Sequence, residues 1–255
     1  MALLPKSWVQ SSINYLSTKR KDRHVTTGHA WEGLVAPGAF RDPPLQVQAR
    51  GAYAAFTRPE FTSERMSYPV MTPTAAIGLL TSIFWKPQIR YVIEQIDVLA
   101  PVQWTAIRRN ESGTAITPSH RTQGYLDVDT AVQQRMTTML RDVHYRVHAH
   151  VWVHPEAQEQ DPAKWRDQLR RRIDRGQSFR TPFLGMREFH ADVAPADSTP
   201  AIDWDEDLGI MTHSIAYDDC TGKESYDWFD ARVVQGCMRV PRLGLMAQHK
   251  AKATA

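Results

Sequence analysis

Residues 142–154 alternate apolar and polar side chains without a break, a period of two that fits a β-strand and no helix. Val143, Tyr145, Val147, Ala149, Val151 and Val153 fall on one face, and His144, Arg146, His148, His150, Trp152 and His154 on the other. The first face must be buried against a core. The second is a ladder of imidazoles with an arginine and a tryptophan. His148 and His150 have a spacing that suits a metal, but no Asp, Glu or Cys ligand set accompanies them in sequence, so the metal reading is set aside. A ligand-facing surface and a plain solvated face both remain open.

Other segments supply the partners such a strand needs. Residues 45–51 alternate in the same way and read as a first strand. Residues 67–87 then carry an extended Tyr-Pro-Val-Met run, followed by Thr72-Pro73 as N-cap and first helical residue. The spacing predicts a helix to about Trp85, with Ala76, Leu79, Leu80 and Ile83 as its apolar stripe and Pro87 beyond its end. Residues 91–99 read as a second strand. This strand–helix–strand order matches the opening of a ferredoxin-like α+β unit of the kind RNA-recognition modules use. Residues 110–129 read as an exposed loop or hairpin tip.

Residues 161–175 form a second predicted helix, with Trp165, Leu169 and Ile173 on its apolar stripe. Lys164, Gln168, Arg171 and Arg175 occupy another face, flanked by Arg170 and Arg172. A basic helix face is commonly only solvated, yet this one is dense in cations and poor in acids, which suits phosphate. The expected organisation is an unstructured extension over 1–44, a ferredoxin-like domain over 45–190, a smaller β-rich domain over 191–243 and a frayed tail after Gly244.

The 255 residues carry a formal charge of +3 and a pI near 8.9, which permits nucleic-acid binding without requiring it. No apolar run approaches a membrane span, and the two cysteines, Cys220 and Cys237, give neither a disulfide framework nor zinc spacing. A soluble, cytoplasmic protein is expected, with no membrane contact and no cofactor. There is no Gly-rich nucleotide loop, nucleophile elbow or paired-carboxylate set, so a small-molecule enzyme is the least favoured class.

Several short segments recur together in an order that is far more specific than any one of them. They are SYPVMTPTAAIGLLTSIFWKP (67–87), GAYAAFTRPE (51–60), RRNE (108–111), QR (134–135), LRDVHY (140–145), RRR (170–172), GQ (176–177), LGMREF (184–189), LGIM (208–211) and GCMRVP (236–241). In these the chain resembles the CRISPR-associated Cas-five family, type I-C (Dvulg) subtype, the Cas-five-d group. The resemblance implies a protein that binds the stem-loop of precursor CRISPR RNA (pre-crRNA), cuts it without a metal and stays on the 5′ handle of the crRNA. It also implies as partners a Cas-seven backbone and a Cas-eight large subunit, with target DNA met only indirectly.

Such cleavage needs a base for a ribose 2′-OH, a cation for the crowded phosphorane and an acid for the leaving 5′-oxygen. In the family, one catalytic position is an aromatic or imidazole residue just before Trp-Lys-Pro, and this chain has Phe84. A lysine near the start of the basic helix matches Lys164. The histidine that follows it in relatives is Trp165 here, on the apolar stripe. Relatives also place arginine where this chain has Ile77. Three readings follow. Catalysis has moved to Tyr68, His144, His148 or His150; Lys164 acts as base, which requires a depressed pKa; or the protein binds RNA without cutting it. The RNA backbone is expected along Lys86, Arg108, Arg109, Lys164, Arg171, Arg172, Arg175 and Arg187. Tyr68, Phe84, Trp85 and Trp165 are candidates for base stacking, with core packing favoured for Phe84 and Trp165. Arg187 and Glu188 are alternatively a structural ion pair.

Overall fold

The computed structural model describes residue 40 and residues 42–254, apart from 62, 114, 126, 128–131, 156, 159–160 and 219–220. The alternating run is the middle of the molecule. It belongs to β5 (Val132–Val153), a strand of 22 residues. β5 pairs antiparallel with β1 (Leu45–Ala54) on one side and β3 (Ile89–Val98) on the other, in registers such as Val47↔Val147 and Tyr91↔Val151. The short β6 (Asp192–Pro195) adds to the outer edge of β1. β9 (Cys237–Arg239) adds to β3 and leads to β8 (Glu224–Val234) and β7 (Glu206–Tyr217). The path is therefore β6-β1-β5-β3-β9-β8-β7, and the C-terminal strands continue the same sheet.

The N-terminal half of β5 leaves this path to form a hairpin with β4 (Trp104–Ser112), and the two-residue β2 (Arg65–Met66) pairs beside it. Asp142, with φ 52, marks the irregularity between the two halves. A six-residue helix, α2 (Pro118–Gln123), stands between the hairpin strands, within the region expected as a tip.

α1 (Pro73–Ile83) begins as its cap predicts, with the Thr72 hydroxyl accepting from the Ala75 N–H at 3.2 Å. It ends one turn's edge earlier than the sequence suggests, because Phe84 is already extended. α3 (Pro162–Asp174) starts on Asp161, whose carboxylate accepts from the Ala163 N–H at 2.9 Å. Ala76, Leu79, Leu80 and Ile83 of α1 and Leu169 and Ile173 of α3 join the apolar face of β5 in one core. Met211, Phe229, Ala231, Val233 and Met238 of the C-terminal strands belong to that core too.

Most of the extension expected over 1–44 lies outside the described residues, but Phe40 stacks on His150 at 4.3 Å and Asp42 pairs with Arg166 at 3.1 Å. The tail after Gly244 is helical: in α4 (Leu245–Thr254) the Asp227 carboxylate accepts from the Met246 and Ala247 N–H groups, satisfying a helix start. Cys237 is a free thiol, and Cys220 lies outside the described residues.

Candidate functional site

A helix leaves its last carbonyls without partners unless something reaches them. At the end of α1 the returning chain does so. The Arg180 N–H donates to the Ser82 carbonyl at 2.9 Å and the Phe179 N–H to that of Ile83 at 3.2 Å. The Arg172 guanidinium, from the last turn of α3, donates to the same Ile83 carbonyl at 3.0 Å. Three elements are thus tied at one point.

Phe84 turns inward there and is 1% exposed. Its ring stacks on Trp165 with centroids 6.2 Å apart and planes 26° from parallel. The Arg172 guanidinium carbon lies 5.2 Å from the centre of the Phe84 ring, a cation–π arrangement. The fold therefore puts positions 84 and 165 in contact, with Lys164 exposed one residue before Trp165 on the first turn of α3.

The stack supplies shape and no proton chemistry. A phenyl ring neither donates nor accepts a proton, and indole only donates. The Trp165 Nε1 atom is buried and has no hydrogen-bond partner among the described residues. Close by, the Tyr91 hydroxyl donates to the Phe84 carbonyl at 2.7 Å, and burial pushes its phenol up against a smaller opposing pull from Arg172. Tyr91 is therefore a neutral, committed donor.

The proposed replacements lie elsewhere. Tyr68 is fully buried, with its hydroxyl 3.4 Å from that of Thr212 and the Arg58 guanidinium 4.5 Å over its ring. Burial raises its pKa, so it is neither exposed nor poised as a base. That corrects both its catalytic and its stacking role. The histidine ladder occupies the sheet face opposite the α1–α3 core, and each ring has a partner of its own. His144 Nε2 meets the Gln48 carbonyl oxygen at 3.1 Å, His148 Nε2 meets Asp97 at 2.8 Å and His150 Nε2 meets Glu94 at 2.8 Å.

Asp97 anchors this polar face. It also accepts from Arg146 Nε at 2.8 Å and Gln95 Nε2 at 2.6 Å, while Arg146 Nη1 reaches the Asp197 and Thr199 carbonyls at 3.1 and 3.0 Å. Burial would raise the Asp97 pKa, but hydrogen bonds from His148, Gln95 and Arg146 outweigh it and hold the carboxyl well below the usual range. His144 is lowered by burial, with Arg50 and Arg146 adding and Asp197 opposing. Among the described residues no three His, Cys, Asp or Glu side chains converge as a metal set. The ladder is an internal ion-pair and hydrogen-bond network that pins the segment around Asp197 to the sheet.

The expected basic track divides. Lys86, Arg171, Arg175 and Arg187 are exposed and Arg172 is half-buried beside Phe84. Arg108 is exposed on the hairpin. Arg109 is a correction: its guanidinium is 18% exposed and pairs with Glu111 at 3.0 Å and Glu188 at 2.8 Å, so its charge is spent inside the protein. Glu188 accordingly pairs with Arg109, not with the Arg187 partner named as an alternative. The LGMREF turn that carries it needs Gly185: its φ is +81°, and an added Cβ would lie 2.0 Å from the Ala55 carbonyl oxygen. Sequence reasoning missed Phe179, 68% exposed beside the end of α1; only its contacts across the fold single it out.

Solved proteins share this overall fold. A functionally uncharacterized protein from Streptococcus mutans superposes with TM-score 0.57 at 25% identity, covering 80% of this chain and 96% of its own. A CRISPR-associated protein superposes with TM-score 0.59 at 23% identity over 80% of this chain and 95% of that one, a likeness of fold. The sequence carries the assignment further. The Cas5d family, described as CRISPR-associated protein (Cas_Cas5), matches residues 45–235. The CRISPR pre-crRNA endoribonuclease Cas5d of Thermus thermophilus is 38% identical over 214 residues, 77% of this chain and 91% of that protein. The protein of the same name from Mannheimia succiniciproducens is 36% identical over 215 residues, 77% and 94% respectively. The chain belongs to the Cas5d family.

Proposed function

We propose that this chain is a pre-crRNA endoribonuclease that binds the CRISPR repeat stem-loop, cleaves it without a metal ion and keeps the 5′ handle within a type I-C surveillance complex. The observation that carries this reading is the exposed Lys164 beside the Phe84–Trp165 stack, in a chain 36–38% identical to proteins named for that activity. The strand order β6-β1-β5-β3, with α1 and α3 as the connecting helices, supports the ferredoxin-like unit expected over 45–190, with its last strand β6 (Asp192–Pro195) just past that bound. The Cas-seven and Cas-eight subunits are its proposed neighbours.

In this mechanism the ribose 2′-OH attacks the adjacent phosphorus and the P–O5′ bond breaks, leaving a 2′,3′-cyclic phosphate and a 5′-hydroxyl. Lys164 neutralises the phosphorane. Arg171, Arg175 and Lys86 hold flanking phosphates and make binding salt-dependent. A missing general acid or base costs a factor of roughly 100 to 10,000, so the Phe84 and Trp165 substitutions predict slow turnover.

The closed stack favours a second reading, in which the protein is a non-catalytic holder of guide RNA cut elsewhere. Incubating the purified protein with a transcript of its own CRISPR array in excess chelator tests the two. A discrete product ending in 2′,3′-cyclic phosphate supports the nuclease. Tight, salt-sensitive binding with no product after long incubation supports the holder.

A further inference from the structure

Phe179 is an exposed aromatic ring on a backbone tied to the end of α1. Its side chain is 68% exposed, yet its backbone is fixed by the N–H bond to the Ile83 carbonyl and by its neighbour's bond to that of Ser82. A single exposed apolar ring is common on a protein surface, so what surrounds this one decides its role. The Arg180 guanidinium carbon lies 5.5 Å from the centre of the Phe179 ring. Trp85, 47% exposed, stands two residues beyond Ile83, and Lys86 follows it. Arg172 shares the Ile83 carbonyl, and Arg171 and Arg175 lie on the same end of α3. Asp174 is the one acidic residue in the last turn of that helix.

We propose that Phe179, together with Trp85 two residues past the Ile83 carbonyl that holds it, is a stacking platform for unpaired RNA bases beside the Phe84–Lys164–Trp165 locus. Aromatic rings backed by cations bind single-stranded nucleic acid in this way: the π-face takes a base and the guanidinium takes a phosphate or covers the ring. A duplex keeps its bases stacked on one another, so the platform reads strandedness and places the unpaired segment next to Lys164. Arg180 lies over the Phe179 ring, and Lys86, Arg171, Arg172 and Arg175 are carried by the segments that meet at the Ile83 carbonyl. That charge favours RNA over an apolar protein surface as the occupant.

The inference rests on the RNA-binding reading above, and the test separates the two. The probes are a hairpin RNA of the chain's own repeat with its unpaired flanks, and the same hairpin trimmed flush. Both are measured by fluorescence anisotropy at several salt concentrations against wild-type protein, Phe179→Ala and Phe179→Tyr. The platform predicts that Phe179→Ala weakens binding of the flanked hairpin about 5- to 100-fold, leaves the flush hairpin unchanged and keeps the salt slope, because no charge is removed. Phe179→Tyr retains wild-type affinity. If Phe179→Ala binds both RNAs as wild type does, the platform is refuted and RNA binding stands. If it weakens both equally, Phe179 acts through structure and the platform is again refuted. If wild-type protein binds neither RNA, the RNA-binding reading fails and takes the platform with it.

Discussion

Removing the Asp97 carboxylate tests the account of the polar sheet face. The Asp97 side chain is 3% exposed and its partners Arg146 and His148 are 14% and 13% exposed, so solvent cannot replace what Asp97→Ala removes. Breaking one partner out of a buried pair costs about 3–5 kcal/mol, because the other charge is left without compensation. For a domain of this size each kcal/mol moves Tm by about 2–4 °C, which predicts a fall of roughly 6–20 °C. The assay is thermal unfolding by circular dichroism at pH 7, repeated at low and high salt. A buried network is weakly screened, so the difference should survive added salt. The pH dependence has a definite sign. Asp97 is held below its unfolded pKa of about 3.9, so its contribution is fully present above that value and is lost as pH falls through the lower folded value. A Tm change of less than about 4 °C, or one erased by salt, would put the network among exposed ion pairs and refute the reasoning.

Two further outcomes follow from other contacts. His213 is 7% exposed, its Nε2 donates to the Pro241 carbonyl at 2.8 Å, and burial lowers its pKa from 6.5. The folded state then binds fewer protons, so stability falls as pH drops below about 6.5 toward the folded value, and His213→Gln flattens that fall. Melting curves at pH 7.5 and 5.5 whose difference is the same in both proteins would contradict it. Arg172→Met keeps an apolar stem over Phe84 but removes one cation, so the slope of log K for RNA against log salt should drop by about 0.7–0.9. An unchanged slope would mean that Arg172 serves only the α1 carboxyl end.

The frame of the fold was legible where one face of an element is buried and the other is not. That holds for residues 142–154, for α1 with its Thr72-Pro73 start and for α3 with its Trp165-Leu169-Ile173 stripe. Residues 132–141 of the same strand escaped notice because the hairpin they form with β4 is largely exposed, and Gln133, Gln134 and Arg135 carry no apolar rhythm. α4 was hidden for another reason: its start is fixed by Asp227, a residue outside its own segment. The site divides along the same line. Lys164 and Trp165 were placed by helix periodicity and resemblance. The destinations of Arg109, the ladder histidines and Tyr68 depend on residues 51 to 144 positions away, and no local pattern encodes them.

The central claim is that RNA is cut at the Phe84–Lys164–Trp165 locus with Lys164 supplying the cation. Lys164 is an exposed side chain on a helix whose cap is Asp161, and the melting temperature of Lys164→Ala reports whether the fold is kept. Single-turnover cleavage of the repeat transcript in excess chelator, by wild-type protein and by Lys164→Ala, is the direct measurement. The account predicts that the rate falls by about 100-fold or more while RNA affinity changes by less than about tenfold, and that the wild-type product ends in 2′,3′-cyclic phosphate. Cleavage by Lys164→Ala at the wild-type rate would place the chemistry elsewhere on the protein and contradict it.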